Sequence, residues 1–247
     1  MHTIYIRFYE ELNDLLPDEK KKIRFEHHYL DRTSVKDLIE SLGIPHTEID
    51  LILVNGKSVG FDYIINDEDD ISVYPVFESI DIKDVQHLRA EPLREPRFIA
   101  DVHLGRLIRY LRMLGQDVYY KSNLNKEEVV KLSLDEQRTI LTMGRDLLKR
   151  NEITHSYLVR NSDPEKQVIE IVKRFQLKNQ LKEFTRCLGC NSLLRKVEKG
   201  EIEFRLPQKV KQNQNEFYIC KNCDKIYWKG THFDRMKSLI QKIKNDL

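Results

Sequence analysis

The sequence predicts an α+β unit, then an α/β unit with a mostly parallel sheet, and a small metal-bound segment at the C-terminal end. Three observations support this prediction. The first 80 residues follow the order strand, strand, helix, strands; strands alternate with helices from residue 97 onward; and two CxxC pairs lie near the end of the chain. We therefore expect domains at 1–80, 97–180 and 181–247, with a proline-broken linker at 81–96.

The first unit opens with alternating apolar and polar residues, as in a strand with one buried face. A Thr-Ser pair then begins a helix, whose apolar residues fall at helical spacing until a glycine ends it. The predicted elements are strands at 3–9 and 23–30, a helix at 35–42, and strands at 49–54 and 71–77.

The same unit carries LILVNGK at 51–57 and DEDDISVYPVF at 67–77. With this order of elements it resembles the ubiquitin-like sulfur-carrier fold, which is a β-grasp domain. Those carriers end in a free Gly-Gly, whereas this chain continues with Glu-Ser-Ile-Asp at 78–81. The resemblance therefore implies binding or scaffolding rather than sulfur transfer, with a protein as the candidate partner of this acidic domain.

The second unit opens with the run RFIAD at 97–101, which ends in an acid. An apolar stripe then marks a helix that continues to Leu114, and Gly115 stops it. The further elements are a strand at 118–120, a helix at 126–133, a strand at 138–142, a short helix at 146–150, a strand at 157–160 and a helix that begins at Asp163-Pro164.

Charge is distributed unevenly along the chain. Residues 1–80 hold 8 Lys and Arg against 17 Asp and Glu, whereas residues 81–247 hold 34 against 23. A basic half suits a polyanion, because neutralised phosphates release counterions; two solvated surfaces that happen to differ are the plainer interpretation. No apolar run approaches the roughly 18 residues of a membrane span, and the N-terminus has no signal-peptide core. We therefore expect a cytoplasmic protein without a membrane partner.

All four cysteines lie in two hooks, Cys187 with Cys190 and Cys220 with Cys223. Clustered CxxC pairs in a chain without an export signal indicate a metal site rather than disulfides. Four thiolates leave no open position for water, so the predicted zinc is structural and stabilises a ribbon too small for a core of its own. An iron–sulfur or redox centre is the alternative.

Asp101 is the first candidate for catalysis. A carboxylate at the carboxyl end of a strand in an open α/β sheet lies at the edge where ligands bind. Asp117, Glu128 (or its neighbour Glu127) and Asp146 are the acids that could join it, since clustered carboxylates hold Mg²⁺ or Mn²⁺ for phosphodiester hydrolysis. The alternative is that these acids only cap helices.

Two basic segments are candidates for contacts with RNA. On the helix after Asp101, cations recur at about one turn and could clamp phosphates. After the second hook, YWKGTHFDR at 227–235 places aromatics beside cations, which suits stacking on unpaired bases. A solvated helix face, and packing of the ribbon by Trp228 and Phe233, are the structural alternatives. Together with Arg145, the candidates are Arg106, Arg109, Arg112, Trp228, Lys229, His232 and Arg235.

Three longer segments belong together: ADVHLGRLIRYLRMLGQDV at 100–118, TRCLGCNSLL at 185–194 and YICKNCDKIYWKGTHFDRM at 218–236. They resemble the Mut-seven C-terminal RNase family, a PIN-like nuclease fold fused to a zinc ribbon and often preceded by a ubiquitin-like domain. The resemblance implies that Asp101 is the first metal-binding acid and that the four cysteines are the ribbon ligands.

One departure from that family concerns the acids. The family usually has Thr-Arg-Asp where this chain reads Thr142-Met143-Gly144, followed by Arg145-Asp146. Without a gap Gly144 replaces the acid, whereas a loop shifted by two residues would bring in Asp146. The acidic pair that opens the preceding helix is also altered, to Asn-Lys-Glu-Glu at 125–128. A metal ion held by fewer carboxylates binds more weakly, and charge at the transferring phosphate is then less well neutralised.

Three functions follow from these observations. The leading one is RNA binding with cleavage that depends on Mg²⁺ or Mn²⁺, held by Asp101 and one or two further acids. The second is a nuclease-derived RNA-binding module without turnover. The third is a scaffold that works through the acidic N-terminal domain.

Overall fold

The structure, a computed structural model, describes residues 2–30, 32–75, 88, 96–148 and 150–247. The predicted linker at 81–96 lies outside the described residues, apart from residues 88 and 96. The chain divides into two compact units. The three domains expected from the sequence, at 1–80, 97–180 and 181–247, remain a prediction. The first unit comprises Met1–Glu95, Val130–Gln137 and Gly144–Leu158, and the second comprises Pro96–Val129, Arg138–Met143 and Val159–Leu247.

The first unit is built on a five-stranded sheet. Its strands are β1 (His2–Phe8), β2 (Arg24–Tyr29), β3 (Ile49–Val54), β4 (Lys57–Ser58) and β5 (Asp70–Pro75), and its first helix is α1 (Val35–Ser41). The strands lie in the order β2-β1-β5-β3-β4. β1 and β5 are parallel at the centre, and the other neighbours are antiparallel. This is the β-grasp arrangement, so the predicted ubiquitin-like fold is confirmed.

Local sequence explains the elements of this unit. The side chains of Ile4, Ile6 and Phe8 on β1 are buried in the core, in the alternation expected of a half-buried strand. The Ser34 side chain accepts a hydrogen bond from the Asp37 amide and so caps α1. Gly43, with φ of 90°, follows the end of α1. Short 3-10 helices at Glu10–Leu15, Asp18–Lys20 and His46–Glu48 lie in the connections.

The second unit contains a parallel sheet. β6 (Phe98–Ala100) lies between β7 (Val118–Tyr119) and β8 (Thr139–Thr142) and is parallel to both. Every residue of β6 and β8 is buried, as in parallel strands covered on both faces. The α-helical elements of the second unit before residue 181 are α2 (Gly105–Met113), the first residues of α3 (Lys126–Asp135) and α5 (Pro164–Arg174). The rest of α3, α4 (Arg145–Leu148) and β9 (Ser156–Leu158) belong to the first unit.

The helix predicted from residue 102 begins later than expected. Val102–Leu104 form a 3-10 turn, and α2 starts at Gly105. Asp101 caps the turn by accepting a hydrogen bond from the His103 amide at 2.9 Å. Because Asp101 caps this turn, it belongs neither to the strand nor to α2, and its side chain lies between the two elements.

The C-terminal part of the second unit is a three-stranded antiparallel ribbon in the order β10-β11-β12. Its small apolar core includes Val197, Phe217 and Ile219. In the part of the chain that the structure describes, no helix is long and apolar enough to cross a membrane. The fold class predicted from the sequence is confirmed. The elements are β10 (Leu194–Val197), α6 (Lys199–Ile202), α7 (Gln208–Asn213), β11 (Phe217–Cys220), β12 (Ile226–Trp228) and α8 (Thr231–Asn245).

Candidate metal centre and active site

Two matching turns present the four cysteines. In each hook the residue after the second cysteine has a left-handed backbone, with φ of 75° at Asn191 and 58° at Asp224. The amide of that residue donates to the carbonyl of the first cysteine, at 2.9 Å in both hooks. Asn and Asp tolerate this conformation better than most residues do, so the two hooks are closed by the residue types that suit them.

The sulfur geometry suits a metal. The four Sγ atoms lie within 4.8 Å of one another. Cys187 Sγ is 3.4 Å from Cys223 Sγ, and Cys190 Sγ is 3.3 Å from Cys220 Sγ. These separations exceed the roughly 2.05 Å of a disulfide and approach the about 3.8 Å expected between thiolates around zinc. Among the described residues this is the only group of three or more His, Cys, Asp or Glu able to share an ion. The four cysteines can therefore hold a structural metal such as zinc.

Arg112 fastens the first hook to the α/β sheet. Its guanidinium donates to the carbonyl of Val118 at 3.0 and 2.7 Å, and to those of Leu188 and Gly189 at 3.2 and 2.9 Å. The residue is only 2% exposed. Although the sequence grouped Arg112 with the RNA-binding residues, we assign it to structure, because a guanidinium so enclosed does not reach a phosphate. Its spacing of four residues from the buried Ile108 was the sequence signal for this burial.

Asp117 is held by three side chains. Its carboxylate is 2.7 Å from an Arg138 nitrogen and 3.3 Å from an Arg186 nitrogen, and it accepts a hydrogen bond from Asn191 at 2.8 Å. Burial alone would raise the pKa of Asp117, but the hydrogen bonds of Arg138 and Asn191 and the two nearby positive charges offset this and lower it. Because Arg186 and Asn191 flank the first hook, Asp117 also ties the ribbon to the sheet.

We expect Asp117→Asn to lower the free energy of unfolding at pH 7 by about 1–3 kcal/mol, since it weakens two ion pairs. A carboxyl group whose pKa is lower in the folded state stabilises above its unfolded pKa of about 3.9 and loses this effect as pH falls through the folded pKa. The difference from the parent should therefore shrink in acid. Urea unfolding at pH 7 and near pH 3 measures this, with the exposed Asp14→Asn as control. An Asp117→Asn difference that persists unchanged in acid would contradict the ion-pair explanation.

Asp101 follows β6 at the carboxyl edge of the sheet, where it is half-buried. Its carboxylate accepts hydrogen bonds from the Thr142 hydroxyl and from the His103 amide. Its own amide donates to the Leu141 carbonyl at 3.1 Å. Thr142 ends the neighbouring strand β8, so two adjacent parallel strands fix the orientation of this carboxylate.

The structure does not bring Asp101 and Asp117 together. Phe98 and Val118 are partners in the parallel pair of β6 and β7. Asp117 therefore lies at the beginning of β7, whereas Asp101 lies beyond the end of β6, about 13 Å along the strands at roughly 3.3 Å per residue. Carboxylates that share a Mg²⁺ ion each approach it to about 2.1 Å.

The other two predicted acids lie at helix starts. Glu128 accepts a hydrogen bond from the Asn125 amide at 2.9 Å, and Asn125 Oδ1 accepts one from the Glu128 amide at 2.8 Å. This reciprocal pair caps α3. Asp146 is exposed in the first turn of α4, next to the exposed Arg145. Glu128 belongs to the second unit and Asp146 to the first, and the roles of both acids at the site stay predictions.

The remaining cations on α2 face solvent. Arg106 and Arg109 are exposed and lie on the helix that follows Asp101. His232 and Arg235 are exposed in the first turns of α8. These four positions are open to a polyanion, in contrast to Arg112.

The aromatic residues after the second hook are largely structural. Trp228 packs against the ribbon core, and Phe233 contacts Phe184 with ring centroids 4.5 Å apart. Lys229 pairs with Glu216 at 2.5 Å, which raises the pKa of Lys229 through that hydrogen bond. The packing alternative considered for Trp228 and Phe233 therefore has direct support from these contacts.

Two family models match the chain. The Mut7-C RNAse domain matches residues 96–240, and the Mut7-C ubiquitin domain matches residues 1–81. No curated protein and no solved structure matches the chain.

Proposed function

Because the chain belongs to the Mut7-C RNAse domain family and carries that family's ubiquitin domain, we propose that it binds RNA and cleaves phosphodiester bonds with the help of Mg²⁺ or Mn²⁺. The observation that carries this proposal is the place of Asp101. Its carboxylate lies at the carboxyl edge of a parallel sheet, oriented by Thr142, and the exposed Arg106 and Arg109 lie on the helix that follows.

Asp101 suits a hard cation. Its half-buried carboxylate accepts one hydrogen bond at each oxygen, from His103 and Thr142, so each oxygen keeps a lone pair for a further ligand. Mg²⁺ often binds through one or two carboxylates and the substrate phosphate. When bound, such an ion lowers the pKa of a water ligand and polarises the phosphate. Thr142 fixes the carboxylate, and Arg106 and Arg109 attract the RNA backbone.

A binding module without turnover is the second candidate. Met143 and Gly144 occupy the positions where the Mut-seven C-terminal RNase family usually has Arg and Asp. Asp117 is engaged by two arginines, and Glu128 caps its own helix. Each of these features removes a group that a nuclease would use to hold the metal ion or to neutralise charge at the phosphate.

A cleavage assay with Mn²⁺ tests the enzyme against the binding module. We expect slow cleavage by the parent chain and a rate at least about tenfold higher for Gly144→Asp, because one charge-stabilising group at such a site contributes as much or more. Gly144 directly precedes α4, where Asp is a favoured cap, so the fold should tolerate the change.

The matched variant is Asp146→Asn. If this change abolishes cleavage while Gly144→Asp has no effect, the loop-shift alignment is correct and Asp146 is the acid. If neither the parent nor Gly144→Asp cleaves RNA that it binds, the binding module replaces the enzyme. Mn²⁺ should support more activity than Mg²⁺, because Mg²⁺ requires a stricter octahedron.

RNA affinity should depend on Arg106 and Arg109 through charge. Replacing either by Gln should reduce the slope of log affinity against log salt by roughly 0.7, the value for one phosphate contact on a single strand. Fluorescence anisotropy of a labelled single-stranded RNA over a salt series measures the slope. Lys57→Gln, on the exposed hairpin of the acidic unit, is the control and should leave it unchanged. Equal slopes in all three variants would place the RNA elsewhere.

The compartment and the partners complete the proposal. Free thiolates able to bind zinc persist in a reducing compartment, and this supports a location in the cytoplasm. A protein partner of the acidic ubiquitin-like domain is kept as a proposal on the basis of its charge and fold.

A further inference from the structure

Two buried polar residues of the ubiquitin-like domain hold strand β9. Ser156 Oγ donates to Thr47 Oγ1 at 2.5 Å, and the Leu158 amide donates to Glu48 Oε1 at 3.0 Å. Thr47 and Glu48 are each 1% exposed, and Ser156 is 7% exposed. All four residues belong to the first unit. Burial of a carboxylate to this extent costs free energy unless the group is hydrogen-bonded. The bond from the Leu158 amide therefore suggests that Glu48 has a specific role in the fold.

His46, the residue before them, adds a third contact. Its Nδ1 is 2.6 Å from Glu40 Oε1, and its Nε2 is 3.2 Å from the Ile153 carbonyl. Three consecutive side chains of one 3-10 helix thus contact the segment Gly144–Leu158, which the RNAse domain model includes. This segment also carries Arg145 and Asp146.

The contacts of His46, Thr47 and Glu48 with the segment Gly144–Leu158 form a latch. From this latch, hydrogen bonds continue to Asp101. Successive amides of an extended chain point to opposite sides. The Leu158 amide donates to Glu48, and the next amide, of Val159, donates to the Thr142 carbonyl at 2.8 Å. The Thr142 hydroxyl in turn donates to the carboxylate of Asp101.

We propose that Glu48 is a positioning residue for the reaction at Asp101, so that the ubiquitin-like domain serves this chain's own site. Glu48 fixes Leu158, the adjoining peptide fixes the carbonyl of Thr142, and Thr142 fixes the carboxylate. This inference rests on the proposed function. It differs from an external partner for the domain, because the surface around Glu48 is already covered by the chain's own β9.

The test compares Glu48→Ala and Glu48→Gln in the full-length chain, with the exposed Glu26→Ala as control. Amide hydrogen exchange is followed at Leu158, Val159 and Asp101, and RNA cleavage is measured with Mn²⁺ as kcat and KM. Glu48→Ala should speed exchange at all three amides by roughly ten- to hundredfold, because a buried donor loses its acceptor. It should lower kcat with little change in KM, and Glu48→Gln, which keeps an acceptor, should restore most of both.

If Glu48→Ala does not fold, Ser156→Ala replaces it, since this change removes one hydrogen bond of the same latch and little volume. Faster exchange confined to Leu158, or a kcat equal to that of Glu26→Ala, would overturn the positioning role. Absence of cleavage by the parent chain would sink the proposed function instead. Exchange at Val159 and Asp101 would then still decide whether Glu48 controls the setting of Asp101.

Discussion

Replacement of Cys220 by serine is expected to release the zinc and unfold the ribbon. The buried apolar residues of the ribbon are few, so we expect its folded state to depend on a metal held by the four cysteines. Structural zinc contributes about 10–16 kcal/mol in small zinc-finger peptides. A hydroxyl in place of one thiolate removes much of this. Native mass spectrometry should find about one zinc per parent chain and little in the variant, as expected for a tetrathiolate site.

The damage should extend from the ribbon into the α/β sheet. Arg112 donates to the carbonyls of Leu188 and Gly189, and Asn191 donates to Asp117. When the hook opens, the buried guanidinium loses two acceptors, which is costly in a dry environment. Amide exchange should therefore rise in α2 and β7 as well as in β11.

Two comparisons make this expectation decisive. The cluster around Ile4 and Ile6 has its own buried residues, so exchange in β1 should stay close to that of the parent. Ser192→Ala, next to a hook, keeps all four thiolates and should retain zinc. A Cys220→Ser chain that retains its zinc and a protected β11 would contradict the metal-dependent ribbon.

Local patterns explain why most elements were predictable. Ser34 and Gly43 bracket α1, and Asp163 with Pro164 begins α5, so start and stop signals lie within a few residues of the elements they define. The cysteines were predictable for a similar reason, since each hook is a four-residue motif. Chemistry encoded at short range is visible in a single sequence.

The roles of Arg112 and Asp117 were not predictable in this way. Arg112 finds its acceptors at Leu188 and Gly189, and Asp117 its partner at Asn191, more than 70 positions along the chain. The spacing of Arg112 from Ile108 indicates burial, but nothing near Arg112 or Asp117 in the sequence identifies the distant groups that each of them binds. The contact of Glu48 with Leu158, 110 positions apart, was missed for the same reason.

Replacement of Asp101 by asparagine is expected to reduce cleavage by roughly 10²–10³-fold, the effect of removing one group that stabilises charge in the transition state. The fold should persist. Asn is as good a cap as Asp for the turn at Val102–Leu104, and its carbonyl oxygen can still accept one of the hydrogen bonds from His103 and Thr142. RNA binding should be unchanged or stronger, because a negative charge facing phosphate is lost.

The control for Asp101→Asn is Asp135→Asn, which removes an exposed carboxylate at the far end of α3 with the same change in net charge. Initial rates of RNA cleavage with Mn²⁺, thermal unfolding and RNA affinity are measured for both. Equal losses of rate in the two variants would point to net charge rather than to Asp101. A parent rate retained in Asp101→Asn, with RNA affinity intact, would show that the reaction does not depend on the carboxyl edge of this sheet. The acid would then have to be sought at Asp146, where a two-residue shift of the loop after β8 places it.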